Sequence, residues 1–299
     1  MFEIRNRCLT VRAAARGAEL QSIRGADGTE YLWQGDPAYW EDRAPNIFPY
    51  VARLTEGRYT LGGRSYSLPI HGFAPTSMFS CRQCAEDRMC FTLESTPELL
   101  TTYPFSFRFS ITYALEDDRL HVTFTVENRG DGTMYFGLGG HPGIRVPLEK
   151  GLDFTDYVLE FPPDSAPWRE IFSPDCFPTG ERLPFPLRDH VLPLEHGLFD
   201  DDAIVLSHAP SQVTLRAPGG RHGVTLFTGG LPYLGLWHRP RTDAPYVCLE
   251  PWSSLPSRKG IVEDLATQPD LLSLPAGKTF EVTWPVPAFK KKQPGGTSC

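Results

Sequence analysis

Glu250 stands in the run Tyr246-Val-Cys-Leu-Glu-Pro-Trp. Four mostly apolar residues precede it and Pro251 follows. The carboxylate is therefore expected at the end of a buried strand that the proline stops. Burial disfavours the charged form, which makes Glu250 a candidate base; the other reading is a carboxylate paired with an arginine such as Arg53 or Arg258. His141 stands in Gly137-Leu-Gly-Gly-His-Pro-Gly. Glycines let backbone come close to a ligand, and Pro142 biases His141 toward an extended conformation. Such a histidine is either a held acid or base, or a tight corner. His71 in Leu68-Pro-Ile-His-Gly-Phe, Arg53 at the end of Ala44-Pro-Asn-Ile-Phe-Pro-Tyr-Val-Ala-Arg, and Asp202 closing Leu198-Phe-Asp-Asp-Asp are further polar candidates. Singly, each has an ordinary reading: a polar corner, a surface ion pair, a solvated acidic loop. The Asp200–Asp202 run lacks the ligand spacing of a known calcium loop. Trp252 is either a core residue or a flat apolar face for a ligand. Of the other histidines, His121 lies on a polar strand face and His190, His196, His208 and His222 fall in polar loops. His238, after an apolar strand, is kept in reserve.

The elements that must position these groups read as strands. Phe105, Phe107, Phe109, Ile111 and Tyr113 alternate with Ser106, Arg108, Ser110 and Thr112; Glu-Asp-Asp-Arg turns the chain; Leu120, Val122, Phe124 and Val126 alternate again. This predicts an antiparallel hairpin with one buried face. Arg58–Leu61, Gly62-Gly63 and Arg64–Leu68 form a second hairpin, with a two-glycine turn. Further strands are expected at Leu9–Ala13, Glu19–Ile23, Glu30–Trp33, Cys90–Glu94, Asp156–Phe161, Val213–Ala217, Val224–Thr228, Tyr233–Trp237, Tyr246–Glu250 and Phe280–Trp284. Short helical turns are expected near Ala38–Trp40, Thr96–Leu100 and Ile261–Leu265. The architecture expected is all-β, two large antiparallel sheets face to face. The stretch 162–193, rich in proline and aspartate, reads as a surface excursion within one domain covering 1–289. Residues 290–299, with Lys290-Lys291-Lys292, read as a frayed tail.

Composition narrows the function classes. Of 299 residues, 29 are proline, nearly twice the roughly 5% usual share, which opposes long helices. Acidic residues outnumber basic ones, 36 to 29, for a net charge of -7, so nucleic acid is not an expected partner. No apolar run nears the ~20 residues that span a bilayer, and the N-terminus lacks a signal-peptide pattern. A cytoplasmic protein with no membrane partner is expected. Seven cysteines are an odd count, and a disulfide framework is not expected in such a chain. Cys81, Cys84 and Cys90 lack a fourth ligand at zinc spacing and read as ordinary, partly buried thiols.

Taken in order, Asn46-Ile-Phe-Pro-Tyr-Val-Ala-Arg-Leu, Leu68-Pro-Ile-His-Gly-Phe-Ala, Gly139-Gly-His-Pro-Gly, Leu198-Phe-Asp-Asp-Asp-Ala-Ile and Cys248-Leu-Glu-Pro-Trp form a set. The chain resembles the aldose 1-epimerase (galactose mutarotase) superfamily, most closely its LacX-like branch, from about residue 17 to about residue 286. The resemblance implies a large antiparallel β-sandwich with a sugar groove on one sheet. It implies that Glu250 is the catalytic base, His141 the catalytic acid, and His71 the second histidine at the sugar ring. Arg53 and Asp202 would bind sugar hydroxyls. Two departures stand out. The better-known members carry an Asn-His-Thr type motif where this chain has Gly-Gly-His-Pro, and they lack the Glu-Pro-Trp ending.

The chemistry implied is exchange of anomers, which needs one base, one acid and no cofactor. A base takes the C1 hydroxyl proton while an acid gives one to the ring oxygen, and the roles reverse on closure. Two rivals remain at this stage: a glycoside-processing enzyme, which usually needs two carboxylates, and a non-catalytic sugar-binding protein. Arg258 and Lys259 are the candidates for a substrate phosphate, although a surface loop is the plainer reading.

Overall fold

The computed structural model describes residues 1–290; the basic tail from 291 onward lies outside the described residues. The fold is nearly all β, with large antiparallel sheets, as expected. One sheet has nine strands, ordered Val191–Pro193, Val158–Glu160, Gln212–Arg216, His222–Phe227, Thr279–Lys290, Arg119–Asn128, Phe107–Glu116, Arg88–Glu94, Ser80–Ala85. The second runs Pro178–Pro184, Trp168–Phe172, Ile204–Ser207, Tyr233–Trp237, Tyr246–Trp252, Gly139–Gly140, Asn46–Ile47, with Gly143–Arg145 also paired to Tyr246–Trp252.

The hairpin Phe107–Glu116/Arg119–Asn128 shows how residue type builds the layers. Its buried apolar positions are Phe107, Phe109, Ile111, Tyr113, Leu115, Leu120, Val122, Phe124 and Val126, every second residue on each strand. Glu116 pairs with Arg119 and Asp117 takes a positive φ of 50°, so the turn is two residues long. Phe48 lies on this layer, its ring stacked 4.5 Å from Phe109. Burying each such side chain is worth about 1.5–3 kcal/mol. The Gly62-Gly63 turn has φ of 56° and 76°, the primed geometry that two glycines permit.

Several expectations are corrected. The stretch 162–193 is no plain excursion: Trp168–Phe172, Pro178–Pro184 and Val191–Pro193 are strands that widen both sheets. Pro178, Pro184 and Pro193 stand at strand ends, where the missing N–H costs least, and the other prolines of the stretch lie in the connecting loops. Glu30–Trp33 makes only isolated bridges, Arg24 to Glu30 and Leu32 to Ile144. The segment near Ala38–Trp40 is a turn rather than a helix, and Ile261–Leu265 is irregular chain with an isolated bridge from Asp264 to Thr60. Pro97–Thr102 is helical, capped by the Thr96 side chain accepting from Leu99 N–H. His222 begins a strand and is buried, with Nδ1 3.0 Å from the Tyr31 hydroxyl, rather than in a polar loop. No helix among the described residues is long and apolar enough to cross a membrane.

Candidate functional site

Strand Tyr246–Trp252 is buried on both faces, which is why its sequence reads as one apolar run. Val247 and Leu249 point into the main core between the sheets. Tyr246, Cys248, Glu250 and Trp252 alternate with them and point to the opposite face. There Tyr246 and Cys248 join an aromatic cluster with Trp33, and Trp252 joins Ile47, Val51 and Val205. Pro251 does not stop this strand, as the sequence suggested; it pairs with Leu234 inside it.

The register places His141. Gly139 pairs with Trp252 and Gly143 with Cys248, so His141 falls opposite Glu250. Leu249 N–H donates to Pro142 O at 3.2 Å and Ser253 N–H donates to Leu138 O at 2.9 Å, on either side of that pair. His141 N–H itself turns away to Pro45 O, at 3.0 Å. His141 and Glu250 thus occupy a non-hydrogen-bonded pair position, where facing side chains lie closest. The glycines before His141 are needed for close approach. A Cβ on Gly139 would stand 2.7 Å from Pro251 O and from a Trp252 ring carbon; one on Gly140 would stand 2.6 Å from the Trp284 ring.

The outcome is an imidazole and a carboxyl in contact, His141 Nε2 to Glu250 Oε2 at 3.2 Å. Glu250 is only 1% exposed and His141 only 8%. Neither of the arginines considered for Glu250 meets it. Arg258 instead pairs with the buried Glu263 at 2.8 Å. Arg53 directs Nη1 to the carbonyl of Asp175 at 3.4 Å. Burial raises the Glu250 carboxyl pKa well above its usual 4.5, with the Asp202 carboxylate adding to the effect. Burial likewise holds the His141 imidazole well below 6.5, and His71 adds to it. Both shifts favour a pair that is neutral as a whole and shares one proton.

The pair forms the floor of a cleft of about 580 Å³. Trp40 lies over His141, ring centroids 4.9 Å apart at 37°, and Trp237 meets it edge-on at 5.5 Å. His71 stands at right angles to His141, 5.3 Å away. His71 adopts φ 64°, and its Nδ1 accepts from Ala52 N–H at 3.3 Å. In the neutral ring the proton is therefore on Nε2. Burial, then the charge of Arg53, lowers its pKa to about 4, against the pull of Asp202. Asp202 has φ 79° and accepts a hydrogen bond from the Cys176 thiol at 2.9 Å. Arg53, His71, His141, Asp202, Glu250 and Trp252, far apart in the chain, all line this one cleft. A more open concavity of about 700 Å³, beside Ser207 and Thr228, gathers none of them.

His238 and the pair Arg258–Lys259 do not line the cleft. His238 is buried, with Nε2 3.1 Å from His196 Nδ1, and Lys259 is 3.6 Å from Asp175. Sequence reasoning missed Trp40, Trp237, Cys176 and Arg239 as lining residues. Alternation in Tyr233–Trp237 carries a signal for Trp237, since Leu234 and Leu236 take the core face. Nothing local to Trp40 or Cys176 does.

The structure thus carries a buried histidine–carboxyl pair in a cleft on one of two large antiparallel sheets. The chain belongs to the aldose 1-epimerase family, whose model matches residues 1–263. It is 32% identical to the chromosomal protein LacX of Lactococcus lactis subsp. lactis over 94% of this chain and 98% of that protein. Among solved structures, a galactose mutarotase related enzyme from Lactobacillus acidophilus superposes with a TM-score of 0.91. It is 32% identical, with 96% of each chain covered. A galactose mutarotase-like protein from Lactobacillus casei gives 0.91 at 33% identity, over 96% of this chain and 99% of that one. Galactose 1-epimerase from Lactobacillus acidophilus, 15% identical with a TM-score of 0.73, shares the fold over 97% of this chain and 94% of that one.

Proposed function

We propose that this chain is a cofactor-independent aldose 1-epimerase that interconverts α and β anomers by opening and closing the sugar ring. The observation that carries the reading is the contact of Glu250 and His141, 3.2 Å apart on the cleft floor. Anomer exchange moves protons at two oxygens, the C1 hydroxyl and the ring oxygen, both bonded to C1. An acid and a base in contact with each other suit two such neighbouring sites. When the shared proton stands on His141, Glu250 takes the C1 hydroxyl proton and His141 gives one to the ring oxygen. The aldehyde then rotates, and closure on its other face runs the transfers backward. The pair holds one proton at the start and at the end, so the buried floor never acquires net charge. Burial supports this: an ionised Glu250 there is a strong base because it is poorly solvated.

His71, with its Nε2 proton free, is assigned to an acceptor oxygen of the sugar. Arg53 and Asp202 bind hydroxyls on the rim, one as donor and one as acceptor, and Trp252 offers its ring face to the C–H surface of the sugar. Hydrolysis fits less well. It calls for two carboxyls about 5–10 Å apart flanking the bond, whereas the partner in contact with Glu250 is an imidazole. The test is saturation-transfer NMR between anomers on a panel of free hexoses, pentoses and hexose phosphates. Faster exchange for at least one of them is expected. Binding without any acceleration would reduce the protein to a sugar-binding role.

A further inference from the structure

The reaction leaves one buried nucleophile on the site face without a task, Cys248. It is a free thiol, fully buried, two residues before Glu250 on the same face of the strand. One ligand atom each from His141, Cys248 and Glu250 lie within 4.8 Å of one another. Two polar atoms of this cluster are buried and unsatisfied: His141 Nδ1 has no hydrogen-bond partner in the protein, and Glu250 Oε2 makes no well-formed hydrogen bond beyond its 3.2 Å approach to His141 Nε2. We propose that His141, Cys248 and Glu250 are a binding site for a thiophilic divalent cation of the zinc type, and that its occupation silences the acid–base pair.

The donor set decides the class of ion. Imidazole, thiolate and carboxylate together suit zinc and its near neighbours; magnesium and calcium take all-oxygen shells. The geometry is within reach. With Zn–N about 2.0–2.1 Å, Zn–O about 2.0–2.2 Å and Zn–S about 2.3 Å, ligand atoms of a tetrahedron stand about 3.4–3.6 Å apart. His141 Nε2 and Glu250 Oε2 are at 3.2 Å already. Since no ligand pair exceeds 4.8 Å, side-chain shifts on the order of 1 Å complete the set. Glu250 and His141 line the cleft, whereas Cys248 is fully buried and does not. The ion therefore enters from the cleft, and its fourth position faces the space where a sugar would sit. On binding, the carboxyl and the thiol release their protons to solvent and the metal takes their place. Both groups on which the proposed epimerase chemistry depends are then ligands, so catalysis stops.

The test uses the full chain with Co²⁺ alone as an optical probe and Zn²⁺ alone in equilibrium dialysis. Neither readout depends on turnover, so binding stands or falls apart from the epimerase reading. One equivalent of Co²⁺ with a thiolate charge-transfer band is expected in the unaltered chain and in the triple variant C81S/C84S/C90S, which removes the thiols of the other sheet. Cys248→Ala should lose the band and bind Zn²⁺ at least about tenfold more weakly, as loss of a ligand outweighs loss of an outer partner. Cys248→Ser, nearly the same size, repeats the loss of the band with the packing kept, and thermal melting verifies both folds. Zn²⁺ should stop anomer exchange in the unaltered chain, a chelator should restore it, and Cys248→Ala should keep its rate at the same Zn²⁺ concentration. A band that survives in Cys248→Ala, or that vanishes in the triple variant, overturns the proposal.

Discussion

Glu250→Gln probes the site most directly, because it keeps side-chain size and hydrogen-bonding capacity while removing the titrating group. On the rate, it removes one positioned proton transfer, a factor of roughly 10²–10⁴. That corresponds to about 2.7–5.5 kcal/mol of barrier. The sugar still fits, so KM should change far less than kcat. On stability the variant should gain. Below pH 4.5 both folded and unfolded chains hold the Glu250 proton, so the group has no effect. Above it the unfolded chain releases the proton and the folded chain, whose carboxyl pKa is raised by burial, retains it. Folding then weakens by up to about 1.36 kcal/mol per pH unit until the folded pKa is reached. Glutamine lacks this loss. The gap in melting temperature between variant and parent should therefore widen as pH rises above 4.5, up to the raised pKa of the folded chain. Calorimetry at several pH values measures the gap, and saturation-transfer NMR measures the rate. An undiminished rate would remove Glu250 as base. A gap that stays flat would mean that the carboxyl ionises in its ordinary range and that burial is not what tunes it.

Further outcomes follow from the same geometry. Because burial holds His141 below 6.5 and His71 near about 4, kcat/KM should stay level as pH falls through 6.5 and decline only at lower pH; a break at 6.5 would contradict this. Trp40→Ala uncovers the His141 ring, now 4.9 Å from it, so the acid limb of that profile should move up toward 6.5. Gly139→Ala puts a methyl 2.7 Å from Pro251 O and should destabilise the fold by about 1–3 kcal/mol, read as a lower Tm. Arg53→Lys replaces a planar fork by a point charge. It should raise KM about tenfold or more with a smaller effect on kcat, since a hydrogen bond to a charged group is worth about 1.5–3 kcal/mol; steady-state kinetics would show it.

Much of this was legible in the chain. Alternation at Phe107–Tyr113 and Leu120–Val126 identified the hairpin because one face is buried and the other is not. Glu250 was visible for a different reason, as a carboxylate inside a run buried on both faces. Pro251 misled: in isolation a proline reads as a stop, but here its missing donor falls within a ladder that Gly139–Pro142 already leaves incomplete. The strands at Trp168–Phe172 and Pro178–Pro184 were hidden, because the first is half-buried throughout and the second almost wholly exposed, so neither carries a buried periodicity. Trp40 and Cys176 reach the cleft by long-range folding of loops, for which local pattern holds no information. The roles of His141 and Glu250 were implied only by resemblance, and their direct contact was not foreseen. The register from Gly139 opposite Trp252 to Gly143 opposite Cys248 supplies its physical cause.

That register has an evolutionary consequence. A slip of one residue in either strand would turn over that strand's side chains, exchanging one of the two groups for a core side chain and leaving the other without its partner. The contact between His141 and Glu250 is thus locked against gradual drift by insertion or deletion: it survives whole or is lost. The rim obeys other rules. Arg53, Cys176, Asp202 and Arg239 lie outside the paired strands, on loops between or beside them. Loops tolerate changes of length and residue that strand registers do not. Change in which sugar is accepted can accumulate there, one loop at a time, while the chemistry beneath stays as it is.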